Sequence, residues 1–259
     1  MIVNGTDILY MDTMENTYVK EFDALILAIR TDEKERPYMV LDRTAFYPEG
    51  GGQPTDTGTF TWQEDANEKM NTIPIVRVAK KNDIRHYPAS DVDLSGLTPG
   101  LKIIANIDWD RRYAHMRMHS SQHLVSAIFY NMYGAYTVGN QIHGDRSRID
   151  FSPLRHEEVD VEDIQRQCND IISVNPRIKV IFTPRSEIEA QGDAERCNVH
   201  LIPASVTELR IVKIEEIELC PCAGTHVMNL GEVGKITIES VRSKGKDKVR
   251  ITYTLEEST

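Results

Sequence analysis

The sequence predicts a protein of two domains, a β domain over residues 1–110 followed by an α+β domain over residues 111–259. Three observations predict this. Short apolar runs separated by turn residues fill the first part, the period of the pattern changes at Asp110, and helical and extended patterns then follow one another. A length of 259 residues suits one large domain or two small ones, and 40% hydrophobic with 27% charged residues is enough to bury a core.

In the first part, residues 38–41, 73–78 and 102–107 are apolar runs of strand length. Clusters of Gly, Pro, Asn and Asp at 49–54, 81–83 and 98–100 separate them, so the expected fold is a small antiparallel barrel or sandwich. Residues 111–133 contain neither Pro nor Gly. There Leu124, Ala127, Ile128 and Met132 recur at helical spacing before Gly134 ends the pattern. A second helix is expected over 161–173, with Val161, Ile164, Cys168, Ile171 and Ile172 on one face. Strands are expected at 179–182, 209–214, 235–241 and 249–255, which completes an α+β half. No Gly/Ser linker marks the boundary.

The charge is acidic, 30 Lys+Arg against 40 Asp+Glu for a net of −10, which excludes a surface that is basic throughout. Divided at residue 110, the first part holds 11 basic and 19 acidic residues (−8), and the second 19 and 21 (−2). The longest apolar run, residues 24–29, is far short of the ~20 residues a membrane span requires. The first residues lack the basic and apolar regions of a secretory signal, so a cytoplasmic protein is expected. Four cysteines (Cys168, Cys197, Cys220 and Cys222) are too few and too unevenly spaced for a disulfide scaffold, and reduced thiols are expected.

Three motifs carry chemistry. His119 and His123 stand four apart in the first helix, on one face and about 6 Å apart at Cβ, within reach of one metal ion. Residue 120 is Ser, so this helix lacks the general base of an H-E-x-x-H peptidase. Cys222 and His226, again four apart, lie on a turn-prone segment. Together with the histidine pair they make three imidazoles and a thiolate, a donor set that suits zinc. Either pair alone is as readily explained by core or loop packing. Cys220 is a rival to Cys222, which the matching four-residue spacing favours. The third motif is the stretch 46–54, Phe-Tyr-Pro-Glu-Gly-Gly-Gly-Gln-Pro, whose glycines allow close backbone approach. It has neither the Gly-Lys-Ser/Thr of a P-loop nor the pattern of a dinucleotide loop.

In this order and at these separations, the motifs resemble those of the freestanding alanyl-tRNA editing proteins of the AlaX type, in their medium-length form, over nearly the whole chain. The stretches 224–227 (Gly-Thr-His-Val) and 231–234 (Gly-Glu-Val-Gly) are similar too, although Ala223 stands where the family has the first of two glycines. The resemblance implies an N-terminal antiparallel β-barrel with the Gly-rich motif, followed by an α+β editing domain. It implies one Zn2+ per chain on His119, His123, Cys222 and His226. The implied activity is hydrolysis of the ester joining a wrong amino acid, serine and sometimes glycine, to tRNA(Ala). The mischarged acceptor end would then be the partner, with transient contact to a synthetase as a further expectation. By analogy Thr137 contacts the substrate amino acid, with Gln141 and His143 as alternatives. Gly51, Gly52 and Gln53 would face the acceptor end or cover the pocket.

For tRNA contact the sequence offers Arg111, Arg112 and Arg117 near the start of the first helix. It also offers Lys244, Lys246 and Lys248 within a stretch of five basic residues and one acid, equally the composition of a solvated hairpin. Two other readings share the metal: a zinc hydrolase of some other ester, and a non-catalytic tRNA- or synthetase-binding module with a structural zinc.

Overall fold

A computed structural model describes residues 1–63, 69–190 and 197–256. The chain divides into two compact units, Met1–Gly50 with Pro54–Tyr113, and Gly51–Gln53 with Ala114–Thr259. The division leaves three residues of the Gly-rich motif with the second unit, although they lie in sequence between strands of the first.

In the first unit, β1 (Ile2–Val3), β2 (Thr6–Ile8) and a later strand form a small sheet. The main chain then runs through β3 (Glu21–Thr31), β4 (Pro37–Leu41), β5 (Arg43–Thr44), β6 (Gly58–Trp62), β7 (Asn71–Lys80), β8 (Ile84–Pro88) and β9 (Lys102–Ile107). Strand β5 completes the small sheet, in the order β1-β2-β5, and the other six close into a barrel in the order β3-β4-β8-β7-β6-β9. All barrel pairings are antiparallel, and β9 shuts the barrel by pairing with both β3 and β6. Closure resolves the barrel-or-sandwich alternative, and it leaves no barrel edge open. Strand β3 shows how a strand of this kind is specified: Phe22, Ala24 and Ile26 point inward while Glu21, Asp23, Leu25 and Leu27 point out. His86 is fully buried in the barrel, with ring centroids 5.8 Å from Phe46 and 5.5 Å from Phe60.

The second unit is built on α1 (Trp109–Tyr133), followed by β10 (Tyr136–Ile142), β11 (Arg146–Ser152) and α2 (Val161–Val174). Then come β12 (Ile178–Pro184), α3 (Arg185–Ala190), β13 (Glu208–Ile214), β14 (Glu218–Pro221), β15 (Ile236–Ser243) and β16 (Val249–Leu255). Four strands form an antiparallel sheet in the order β10-β11-β16-β15, and three form a second in the order β12-β13-β14. Helix α1 packs on the inner face of the four-stranded sheet, where Phe129 stacks on Phe151 with centroids 3.9 Å apart. Asp160 caps α2 by accepting from Asp163 N at 3.0 Å, and Asn175 ends it in the left-handed conformation (φ 56°). The Asn169 amide binds both Ile236 O (3.0 Å) and Ile236 N (2.8 Å), which ties α2 to β15. Among the described residues, no helix is long and apolar enough to cross a membrane.

The expectation of reduced thiols is corrected. Cys197 and Cys220 form a disulfide, because the turn at Cys197 and strand β14 bring their Cα atoms to 5.3 Å. Spacing along the chain gave no sign of this, since 23 residues separate the two. Cys168, buried on α2, and Cys222 are the free cysteines.

Candidate metal centre

Helix α1 breaks the rule that buried faces are apolar. Every residue from 115 to 125 is buried, and His115, Arg117, His119, Ser120, Ser121, Gln122 and His123 are among them. So many polar side chains are taken out of water only where partners satisfy them, and here the partners come from distant segments.

The ligand atoms of His119, His123, Cys222 and His226 all lie within 4.8 Å of one another. Cys222 Sγ is 3.5 Å from His119 Nε2 and 3.3 Å from His226 Nε2. The His119 and His226 rings are 4.4 Å apart, and those of His123 and His226 4.9 Å. Burial, together with the neighbouring imidazoles and Arg210, holds the His119 and His226 rings well below the usual histidine range. They are therefore neutral at pH 7, the form in which an imidazole ligates. Burial raises the Cys222 thiol while the Arg210 guanidinium opposes it, so a bound cation would be needed to hold a full thiolate. Three imidazole nitrogens and one sulfur within this spread could hold a metal ion, and the donor set fits zinc. Cys220 drops out as a rival, because its sulfur is bonded to Cys197.

The groups behind the ligands orient them. Gln53 Oε1 lies 2.7 Å from His119 Nδ1 and accepts a hydrogen bond from its N–H, which turns Nε2 toward the cluster. The other end of the same amide, Nε2, donates to Thr225 Oγ1 at 2.9 Å. Ser120, which replaces the general base of a peptidase motif, pairs with His226 Nδ1 at 3.2 Å and accepts from Val227 N at 3.1 Å. Arg210 Nη1 donates to the carbonyls of Cys222 (2.5 Å) and Gly224 (3.2 Å), fixing the turn between the two C-terminal ligands. Gly224 is required there, since a Cβ would fall 2.1 Å from His119 Cε1. Gly52 is required on two counts: its φ is +86°, and a Cβ would fall 2.3 Å from Asn140 Oδ1.

The predicted substrate residues separate. A β-bulge between Thr137 and Gly139 shifts the register of β10. Thr137 and Asn140 then face inward, opposite buried Phe151 and Ile149, while Gln141 faces outward opposite Arg148. A regular strand would have put Thr137, Gln141 and His143 on one face, and the bulge overturns that grouping. Thr137 Oγ1 meets Ser126 Oγ at 2.7 Å, and Ser126 stands seven residues beyond His119 on the same side of α1. Gln122 Nε2 donates to Ser126 Oγ (3.0 Å), and Asn140 Nδ2 reaches Gln122 Oε1 (3.4 Å) and Gly51 O (3.3 Å). A continuous polar chain thus runs from Thr137 to the glycines. Gln53 belongs to the ligand support, not to an open pocket wall, because both ends of its buried amide are engaged.

Two of the arginines offered for tRNA contact are corrected as well. Arg112 is fully buried, paired with Asp56 and bonded to the carbonyls of Thr17 (3.0 Å) and Ala45 (2.5 Å). Arg117 is buried against the carbonyls of Glu232 (3.0 Å), Val233 (2.8 Å) and Glu256. Arg112 spends its donors on a buried carboxylate and two carbonyls and Arg117 on carbonyls, uses that charge counting does not anticipate. Arg111 is half-buried with Nε on Thr55 O at 3.0 Å, whereas Lys244, Lys246 and Lys248 are exposed. Sequence reasoning missed Ser120, Gln122, Ser126, Asn140 and Arg210, whose partners are brought close only by the fold.

Comparison with known proteins places this geometry. The family model described as "Threonyl and Alanyl tRNA synthetase second additional domain" matches residues 209–252, which include Cys222 and His226. The model "tRNA synthetases class II (A)" matches residues 4–111, which include the barrel strands. The fold and the cluster thus define a protein made of parts shared with tRNA synthetases. Alanyl-tRNA editing protein AlaX-M of Methanosarcina acetivorans is 37% identical over 253 residues, covering 96% of this chain and 99% of its own. The protein of the same name from Saccharolobus solfataricus is 34% identical over 257 residues, covering 97% and 99%. Alanine–tRNA ligase of Thermococcus kodakarensis is 33% identical over 227 residues, or 86% of this chain but 23% of the ligase. The chain belongs to the AlaX-M family of alanyl-tRNA editing proteins.

Proposed function

We propose that this protein is a zinc-dependent aminoacyl-tRNA deacylase that hydrolyses the ester of serine, and also of glycine, mischarged to tRNA(Ala). The observation that carries the reading is the convergence of His119, His123, Cys222 and His226, with Gln53 of the Gly-rich motif oriented on His119. Relatives named for alanyl-tRNA editing match the chain over almost its full length.

When bound, zinc would supply a Lewis acid beside the ester, polarising its carbonyl or lowering the pKa of water. The protein's own residues do the rest. Gln53 and Ser120 set the tautomers of His119 and His226 so that each presents Nε2 to the cluster. The Thr137 and Ser126 hydroxyls, paired with each other, offer a hydrogen-bond partner that a seryl side chain can use and an alanyl side chain cannot. Such a second site is required because an alanine pocket rejects serine or glycine by only about 1–3 kcal/mol. The exposed lysines at 244, 246 and 248 would meet tRNA phosphates, and the protein would work in the cytoplasm alongside translation.

The test is deacylation of Ser-, Gly- and Ala-tRNA(Ala), with Thr-tRNA(Thr) as control. The expected order is fast hydrolysis of Ser-tRNA(Ala), slower hydrolysis of Gly-tRNA(Ala) and sparing of the other two. Equal rates on all four would overturn the substrate assignment.

A further inference from the structure

Strand register determines which side chains share the outer face of the four-stranded sheet, the face turned away from α1. Across the ladders, Gln141, Arg148, Thr252 and Ser240 form one row, and Asp150, Arg250 and Arg242 the next. Arg146 begins a third row, opposite Thr254. The residues between them on β11 and β16, including Ile149, Phe151, Ile251 and Tyr253, are buried against the helix. Four arginines therefore stand on one sheet face in a chain whose net charge is −10.

Carboxylates only partly neutralise this face. Asp150 is held by Arg250 through two bonds of 2.6 and 2.8 Å, and Asp145 reaches Arg146 at 3.4 Å. Arg148 meets the neutral amide of Gln141. Arg242 sits directly opposite Arg250, whose guanidinium already takes up the Asp150 carboxylate, so the exposed Arg242 adds a further cation beside that ion pair. Arg146 and Arg148, with His143, Thr252 and the Asp145 carboxylate that partners Arg146, also line a cavity of about 310 Å³ on this face, so Arg148 is the cation there without a carboxylate partner of its own among the described residues. Guanidinium groups bind phosphate oxygens in pairs, and they do so more specifically than the lysines of the adjoining hairpin can.

We propose that this outer face grips the phosphodiester backbone of the tRNA acceptor arm, with Arg148 and Arg242 as its main anchors and the cavity as the seat of one phosphate. The assignment rests on the deacylase reading, and it names the surface by which that enzyme holds its RNA. Strand β10 is the sheet edge, and its inward residues Thr137 and Asn140 lie on the α1 side. A single-stranded 3′ end passing over that edge would leave the arginine face and arrive at the polar chain beside the metal centre.

The experiment measures binding of uncharged tRNA(Ala) to the zinc-loaded protein between 50 and 200 mM KCl, for wild type and for Arg148→Gln/Arg242→Gln. Each phosphate that the variant no longer neutralises should reduce the slope of log K against log salt by about 0.7–0.9. The double variant should bind at least tenfold more weakly, yet still hydrolyse seryl-adenosine, an ester with no duplex to grip. A control, Lys34→Gln/Lys102→Gln on the barrel, removes the same charge and should leave the slope unchanged. An unaltered slope in the arginine variant, or an equal fall in the control, overturns the surface. Wild type that binds tRNA(Ala) with the full slope but leaves seryl-adenosine intact would instead overturn the deacylase reading.

Discussion

Gln53 uses both ends of one amide, accepting from His119 Nδ1 and donating to Thr225 beside His226. Removing it leaves a buried imidazole N–H unpaired and a ligand ring free to turn. Gln53→Ala should therefore weaken zinc binding by about 10–100-fold, read by competition with a chromophoric chelator, while zinc affinity equal to wild type would deny it this role. Gly224→Ala should do similar damage by steric means, because its methyl would occupy the place of the His119 ring. In the barrel, burial pushes the His86 imidazole down to about 4, the carbonyl of Met39 opposing only in part. Between pH 6.5 and about 4 the unfolded chain then binds a proton that the folded one does not, so stability is lost as pH falls through that window. The loss from this group reaches about 3 kcal/mol at its lower end. Urea unfolding of wild type and His86→Gln across pH 4–7 should show a shallower pH dependence in the variant, and parallel curves would refute the attribution. The four residues of the cluster were legible in the sequence because two i, i+4 pairs of suitable chemistry stand out, and the fold brings them together. Their supports were not, since Gln53, Ser120 and Arg210 are ordinary residues until folding brings them to the histidines.

Helix α1 was legible as an element from its period and from the absence of Pro and Gly, but not as a helix buried on nearly all sides. Its polar residues read as a solvent face when their partners at 51–53 and 225–227 are out of view. Strand β8 escaped detection for a related reason, as Arg85 and His86 interrupt its apolar run and yet both are buried. The bulge in β10 was equally invisible, and that single extra residue decides that Asn140, not Gln141, joins Thr137. The start of α1 offers a test of element anchoring. Arg112 and Asp56 are a fully buried pair, and breaking one side leaves an uncompensated charge. Arg112→Ala should lower unfolding free energy by about 3–5 kcal/mol in denaturant titration, a far larger effect than an exposed arginine produces. A loss below 1 kcal/mol would show that the pair is not needed.

For the molecule as a whole, the uneven charge carries more meaning than its total. Most of the excess acid lies before residue 110, and the register of the four-stranded sheet gathers arginines that are scattered between residues 146 and 250. Strand periodicity could foretell the sheet, but only the order β10-β11-β16-β15 shows that these charges share a face. In the proposed function, the three histidines and Cys222 hold the zinc on which editing depends. The most direct test is zinc content per chain measured together with the rate of Ser-tRNA(Ala) deacylation, for wild type, His119→Ala and Cys222→Ala. Wild type should carry one zinc and deacylate rapidly, with both lost in each variant; retention of zinc and activity in both variants would show that these residues do not hold it.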